Sequence, residues 1–227
     1  MELKIIARIY TDFKEKFGIP RQSGIAKDAL GKIVFEPEYR RSEALRGLDG
    51  YSHIWLIWDF SEAHREEWSP TVRPPRLGGN RRMGVFATRS PYRPNPIGLS
   101  SVKLEGIVKT EDEGEVIIVR GADIMNGTPI YDIKPYLKFT DSHGDAEGGF
   151  ADGVMDYGMK VDIPDSLSSV ISESELSTLK VILENDPRPA YKKKDEKAYG
   201  MAFSDYDVCF TADDDTITVT DIKRKEK

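Results

Sequence analysis

Cysteine and histidine are scarce in this chain: Cys209 is the only thiol, and His53, His64 and His143 are the only imidazoles among 227 residues. One thiol rules out an intramolecular disulfide and a thiolate cage around a metal. Cys209 sits in Y-D-V-C-F-T, a strand pattern in which a buried, inert thiol is the ordinary reading. No two histidines share helical ligand spacing, so the signature of a zinc enzyme is missing and no metal is expected. Long apolar runs are missing as well. No stretch approaches the roughly 18–20 residues that a bilayer-spanning helix requires, and M-E-L-K-I-I-A-R-I-Y lacks the succession of a signal peptide. The expectation is a soluble, cytoplasmic protein with no membrane partner. The formal net charge of -6 does not exclude a nucleic-acid partner, because binding depends on the local patch that neutralises phosphates.

Such a patch is present. From Trp68 to Leu104 the chain carries Arg73, Arg76, Arg81, Arg82, Arg89, Arg93 and Lys103 with no Asp or Glu. The same stretch holds Pro70, Pro74, Pro75, Pro91, Pro94 and Pro96, which fix φ and remove backbone donors, so most of it reads as stiff loop. Guanidinium forks on a stiff backbone suit phosphate, carboxylate or stacked-base recognition; a merely solvated basic loop is the plain alternative. Lys192, Lys193 and Lys194 form a second basic cluster.

Periodicity divides the rest. Leu3 to Ile9, Lys32 to Phe35, His53 to Phe60, Met83 to Ala87, Leu99 to Val108, Glu115 to Arg120 and a segment interrupted by Pro135 read as strands. H-I-W-L-I-W-D-F, apolar on both alternating faces, reads as a core strand buried on two sides. A short helix is expected at Ser42 to Arg46 with Ser42 as its N-cap. Many short strands and few helices indicate an all-β barrel or sandwich. Thr140 to Lys160 is rich in Gly and Asp without a period and reads as a linker or long loop. Beyond it, Ser172 to Asn185 reads as an amphipathic helix capped by Ser172 or Ser174, followed by strands at Tyr199 to Thr211 and Thr216 to Ile222. The expected architecture is therefore mainly β: a small β-barrel over residues 1–140, a linker over 141–160 and a small α+β domain over 161–227.

Two blocks, V-F-A-T-R-S-P-Y-R-P-N-P-I-G-L-S and D-I-M-N-G-T-P-I-Y-D-I-K-P-Y, together with S-P-T-V-R-P-P-R-L-G-G-N, P-R-Q and D-P-R-P-A-Y, resemble the TsaA-like, or TrmO, family. Bacterial members of that family are tRNA N6-adenosine methyltransferases dependent on S-adenosylmethionine. The resemblance spans essentially the whole chain. It implies a small β-barrel acting as a homodimer, in place of a doubly wound sheet; no strand here runs into G-x-G-x-G and a helix, in keeping with that. It implies donor contacts at Pro20, Arg21, Gln22, Ser61, Glu62, Arg89, Leu99, Asp123, Ile124, Met125 and Asn126. Family members carry histidine where this chain has Ser61, and here a histidine follows at His64. The implied acceptor is N6 of N6-threonylcarbamoyladenosine at position 37 of tRNA. Tyr131 and Asp132, directly after the donor loop, are the candidate bases. Arg73, Arg76, Arg81, Arg82, Arg93 and Lys192 to Lys194 are candidates for the anticodon stem-loop. Two rivals stand beside this reading: a non-catalytic RNA- or nucleotide-binding barrel, and a methyltransferase for a different acceptor.

Overall fold

The structure is a computed structural model that describes residues 2–74, 77, 81–154, 158–188 and 197–225. Its first unit is a closed barrel of six strands: β1 (Ala7–Thr11), β2 (Leu30–Phe35), β3 (His53–Asp59), β6 (Ile97–Lys109), β7 (Glu115–Arg120) and β8 (Thr128–Pro135), in the order β1-β2-β7-β6-β3-β8. Every neighbouring pair is antiparallel. Closure leaves no sheet edge with unpaired backbone groups. A further two-residue ladder joins β4 (Thr71–Val72) to β5 (Met83–Gly84) within the β3–β6 connection.

Alternation along each strand fills the lumen. Ile9, Ile33, Ile54, Leu56, Val102, Ile117, Val119, Ile124 and Ile130 form one packed core, each fully buried side chain contributing about 1.5–3 kcal/mol. Those side chains fill the lumen, which places a site at a mouth or on the outer wall.

β3 departs from the two-sided burial expected of it. Ile54, Leu56 and Trp58 are sealed in the lumen, whereas Trp55 and Ile57 on the outer face are only half-buried. The cover there is partial: Trp55 donates its indole N–H to Asp141 at 2.8 Å and lies 5.6 Å from the Tyr136 ring. The first strand begins at Ala7 rather than Leu3, because Leu3 and Ile5 remain exposed outside the barrel. Ser42 opens a 3-10 helix and is not its cap; Arg41 occupies that position without a side-chain bond.

The second unit is a sheet of order β10-β11-β12-β9, formed by β9 (Lys160–Asp162), β10 (Tyr199–Phe203), β11 (Tyr206–Ala212) and β12 (Thr216–Arg224). Short helices α1 (Lys138–Asp141) and α2 (Asp165–Ser168) precede the long α3 (Glu173–Glu184). Ser172 is the N-cap of α3, in a capping box with Glu175, which satisfies amide donors that the first helical turn leaves open. The expected strand from Tyr199 to Thr211 is a hairpin instead. Ser204, with φ 50, turns the chain without the glycine that usually announces such a reversal.

Candidate active site

Alternating strand direction sends three connections to one mouth of the barrel: residues 12–29 between β1 and β2, 60–96 between β3 and β6, and 121–127 between β7 and β8. Apart from Leu99, all the donor contacts that the family resemblance implied lie on these connections. Leu99 lies on β6, 58% exposed, on the outer wall beside the same mouth.

Three of those residues gather at the mouth. Arg89 donates to the side-chain oxygen of Gln22, and its positive charge acts on Asp123. The Asp123 carboxylate accepts from the Ser100 hydroxyl at 2.6 Å, and Ser100 in turn accepts the indole N–H of Trp58 at 3.0 Å. Burial pushes the Asp123 carboxyl above its ordinary range, while the Ser100 hydroxyl, the backbone N–H groups of Asp123 and Ser23, and Arg89 pull it back down. The mouth thus holds a half-buried carboxylate beside an amide and a guanidinium.

The remaining loop residues fix the backbone around this cluster. Pro20 is buried, and Arg21 donates to the Asp186 carbonyl at 3.0 Å. Ile124 plugs the lumen with no exposure. Asn126 accepts from Thr11 N–H through its side chain at 3.0 Å and donates its own N–H to the Phe13 carbonyl at 2.8 Å. Met125 is half-buried between them. Ser61 and Glu62 are exposed; the Glu62 carbonyl accepts from Lys16 at 2.8 Å.

A second polar cluster occupies the end of β3. Asp59, 9% exposed, bonds the Nε2 of His64 at 2.8 Å and the hydroxyl of Tyr131. Burial, then the charge of Asp59, raises the Tyr131 pKa, so the phenol keeps its proton. Asp132 accepts from Ile133 N–H at 2.9 Å and pairs with Lys134 at 3.0 Å. Trp58, Ser100 and Asp59 were absent from the sequence-derived site. The signal available was the strand register, which sets Trp58 opposite Gly98 and Asp59 opposite Ile97.

Of the cationic residues, Arg73 and Arg81 are exposed, Arg82 donates to the Thr71 hydroxyl at 2.7 Å, and Arg93 donates to the Thr88 carbonyl at 2.8 Å. Arg76, Lys192, Lys193 and Lys194 lie outside the described residues.

The family model of the tRNA-methyltransferase O N-terminal domain matches residues 8–142, and that of the TrmO C-terminal domain matches residues 158–225. The chain belongs to the TrmO family. Among its relatives, the tRNA (adenine(37)-N6)-methyltransferase of Escherichia coli K12 is 42% identical over 212 residues, covering 89% of each chain. A putative S-adenosylmethionine-dependent methyltransferase of Pseudomonas aeruginosa PAO1, RcsF, is 39% identical over 211 residues, again with 89% of each chain covered. The crystal structure of TrmO from P. aeruginosa superposes with a TM-score of 0.79 at 33% identity, covering 99% of this chain and 97% of that one. The mainly β architecture read from the motifs, with its smaller second unit, is that of a TrmO protein.

Proposed function

We propose that this chain methylates N6 of N6-threonylcarbamoyladenosine at position 37 of tRNA, forming the N6-methyl derivative, in the cytoplasm and as a homodimer. The broader activity, S-adenosylmethionine-dependent methylation of tRNA adenine at N6, follows from membership of the TrmO family. The observation that carries the finer reading is the Arg89–Gln22 hydrogen bond, with the Arg89 charge acting on Asp123, at the mouth that also bears the cationic loop.

The residues at the mouth fit the donor. Asp123 offers an anion to ribose hydroxyls or an ammonium group, and Gln22 and Arg89 offer an amide and a guanidinium to a base edge or a carboxylate. S-adenosylmethionine supplies a methyl group on a sulfonium, already activated for displacement. The protein's part is then chiefly orientation, in which holding reacting atoms about 3–3.5 Å apart supplies much of the acceleration. The loops at the mouth serve that end because their backbones are pinned to the barrel. An electron-withdrawing threonylcarbamoyl group makes N6–H more acidic, which eases loss of its proton. With Asp59 accepting from Nε2, His64 presents Nδ1 as an acceptor for that proton; Tyr131 and Asp132 are less suited, one by its raised pKa and the other by its ion pair. An anticodon-loop base is already unpaired, so presenting it costs less than flipping a base from a duplex. The homodimer is supported by Ile97 and Leu99, 37% and 58% exposed on the outer wall of β6, an apolar face that a second copy would cover.

The test is transfer of labelled methyl from S-adenosylmethionine to total tRNA from cells lacking this protein, run beside tRNA that also lacks the threonylcarbamoyl group. Label entering only the threonylcarbamoylated pool is expected. Label entering both pools equally refutes that substrate and favours another acceptor. Absence of donor binding leaves a non-catalytic RNA-binding barrel.

A further inference from the structure

Two large aromatic side chains that the core does not use flank the β4–β5 ladder, Trp68 before β4 and Phe86 in a 3-10 turn after β5. Phe86 is 71% exposed and Trp68 is 50% exposed, an unusual placement for rings of this size. Across the ladder's open end the two rings pack against one another, with ring centroids 6.0 Å apart and planes tilted by 32°. Their backbones are fixed by the residues between and beside them. Thr71 pairs with Gly84 and Val72 with Met83, the Val85 N–H donates to the Pro70 carbonyl at 2.9 Å, and the Val85 side chain is buried. Thr88 closes the turn after Phe86, donating through both its N–H and its hydroxyl to the Val85 carbonyl. The rings are therefore held out toward solvent by a braced backbone.

Exposed Glu66 and Glu67 precede Trp68, but arginines stand beside the rings and along the same connection. The Arg93 guanidinium lies 5.9 Å from the Phe86 ring, and Arg65 stacks on Tyr92 at 3.8 Å. Arg82 is tied to Thr71 on the same ladder. Exposed aromatic faces among fixed guanidinium groups suit a single-stranded nucleic acid, whose bases stack while its phosphates pair with the charges.

We propose that Trp68 and Phe86 form a platform on which an unpaired base of the tRNA anticodon loop stacks, orienting the loop so that its neighbouring adenosine reaches the barrel mouth. This rests on the reading of tRNA as the acceptor. The occupant is an RNA base rather than a second copy of the chain because Arg93 stands against the Phe86 ring, Arg82 is held on the adjoining ladder, and the arginines of the Trp68–Leu104 stretch, which has no acidic residue, outnumber Glu66 and Glu67 just before it.

Two measurements test it. Of Trp55, Trp58 and Trp68, the last is the most exposed, so an anticodon stem-loop carrying N6-threonylcarbamoyladenosine should quench its fluorescence, and the quench should vanish in Trp68→Phe. In steady-state kinetics, Phe86→Ala should raise KM for tRNA by about 5-fold to about 150-fold, the range for loss of one stacked base, with kcat little changed. Phe86→Trp should restore the wild-type KM. Donor affinity should be the same in all variants. A KM within twofold of wild type in Phe86→Ala, while wild type methylates tRNA, overturns the platform alone. Wild type transferring no methyl to tRNA removes the acceptor and the platform with it. A weaker donor affinity in Phe86→Ala assigns the rings to the donor, and a change from dimer to monomer assigns them to a subunit contact; either result overturns the proposal.

Discussion

Gly98→Ala tests how the barrel wall and the polar site depend on one another. A Cβ at residue 98 would fall 2.2 Å from Cε2 and 2.5 Å from Cδ2 of Trp58, well inside van der Waals contact. The indole cannot swing aside easily: it is 6% exposed, packs 4.2 Å from the Phe60 ring and donates its N–H to Ser100 at 3.0 Å. Overpacking a tight core costs about 1–3 kcal/mol, and displacing the indole from Ser100 adds about 1 kcal/mol. Together the loss is about 2–4 kcal/mol. With a urea slope of about 2 kcal/mol per M, the unfolding midpoint should fall by about 1–2 M. The same movement disturbs Ser100, which donates to Asp123 at 2.6 Å, so donor affinity measured by calorimetry should fall too. An unchanged midpoint together with unchanged donor affinity would refute both the packing argument and the link from Trp58 to the site.

Asp123→Asn should stabilise the fold while abolishing tight donor binding. Burial raises the folded-state pKa of Asp123 above its ordinary 3.8, so the folded state holds the proton more tightly than the unfolded one; wild-type stability is lost as pH rises from 3.8 through the folded pKa, and the advantage of Asn should grow across that window. A difference in unfolding free energy that does not vary with pH defeats this account. His64→Gln should lower kcat by about 10²–10⁴-fold if Nδ1 accepts the N6 proton, with donor affinity unchanged; a wild-type kcat removes His64 from the reaction. Asp186→Ala should cost about 3–5 kcal/mol by urea unfolding, because it leaves the Arg188 guanidinium, 2.8 Å from the carboxylate and 1% exposed, without that anion in the interior. A loss under about 1 kcal/mol shows that the pair contributes little.

The barrel was legible because its strands carry their own period. Glu115–Arg120 agrees residue for residue with the pattern, and α3 lies within the expected helix with Ser172 as its cap. Elsewhere tertiary partners decide. β3 looked two-sided because Trp55 and Ile57 are apolar, yet their face is the outer wall of a barrel, and no periodicity distinguishes an outer wall from a second core. The Ser204 hairpin was invisible because a non-glycine residue takes the left-handed conformation there. Gln22, Arg89 and Asp123 are singled out only by motif resemblance; that they share one mouth is a property of closure, which gathers connections distant in sequence there. The buried chain from Trp58 through Ser100 to Asp123 escaped notice because tryptophan in a core strand reads as volume, whereas its N–H here helps to hold a carboxylate in place.

The second unit shapes the site even though, among the described residues, the cluster at the mouth draws no side chain from it. The connection from β1 to β2, which carries Pro20, Arg21 and Gln22, does not pack on the barrel core. Phe13, Ala26 and Ala29 are buried with Leu179, Leu183, Phe203 and Phe210 of the second unit. Gly18 runs so close to it that a Cβ would meet Met201 Cε at 2.5 Å, and its φ of +90° also favours glycine. Polar contacts follow the same line: Lys14 bonds Asp205, Ser177 bonds Asp28, the Glu15 carboxylate accepts from Ala202 N–H, and Arg21 reaches the Asp186 carbonyl. A barrel stripped of that unit would leave Phe13, Ala26 and Ala29 facing water and release the Pro20–Gln22 turn from one of its two supports. The other is the bond from Gly24 N–H to the Gly121 carbonyl at 2.8 Å, beside the loop that bears Asp123. Gln22 is thus held against Arg89 by a segment packed on the second unit's core and hydrogen-bonded to the barrel, and the spacing between Gln22 and Asp123 depends on the second unit whether or not that unit touches RNA.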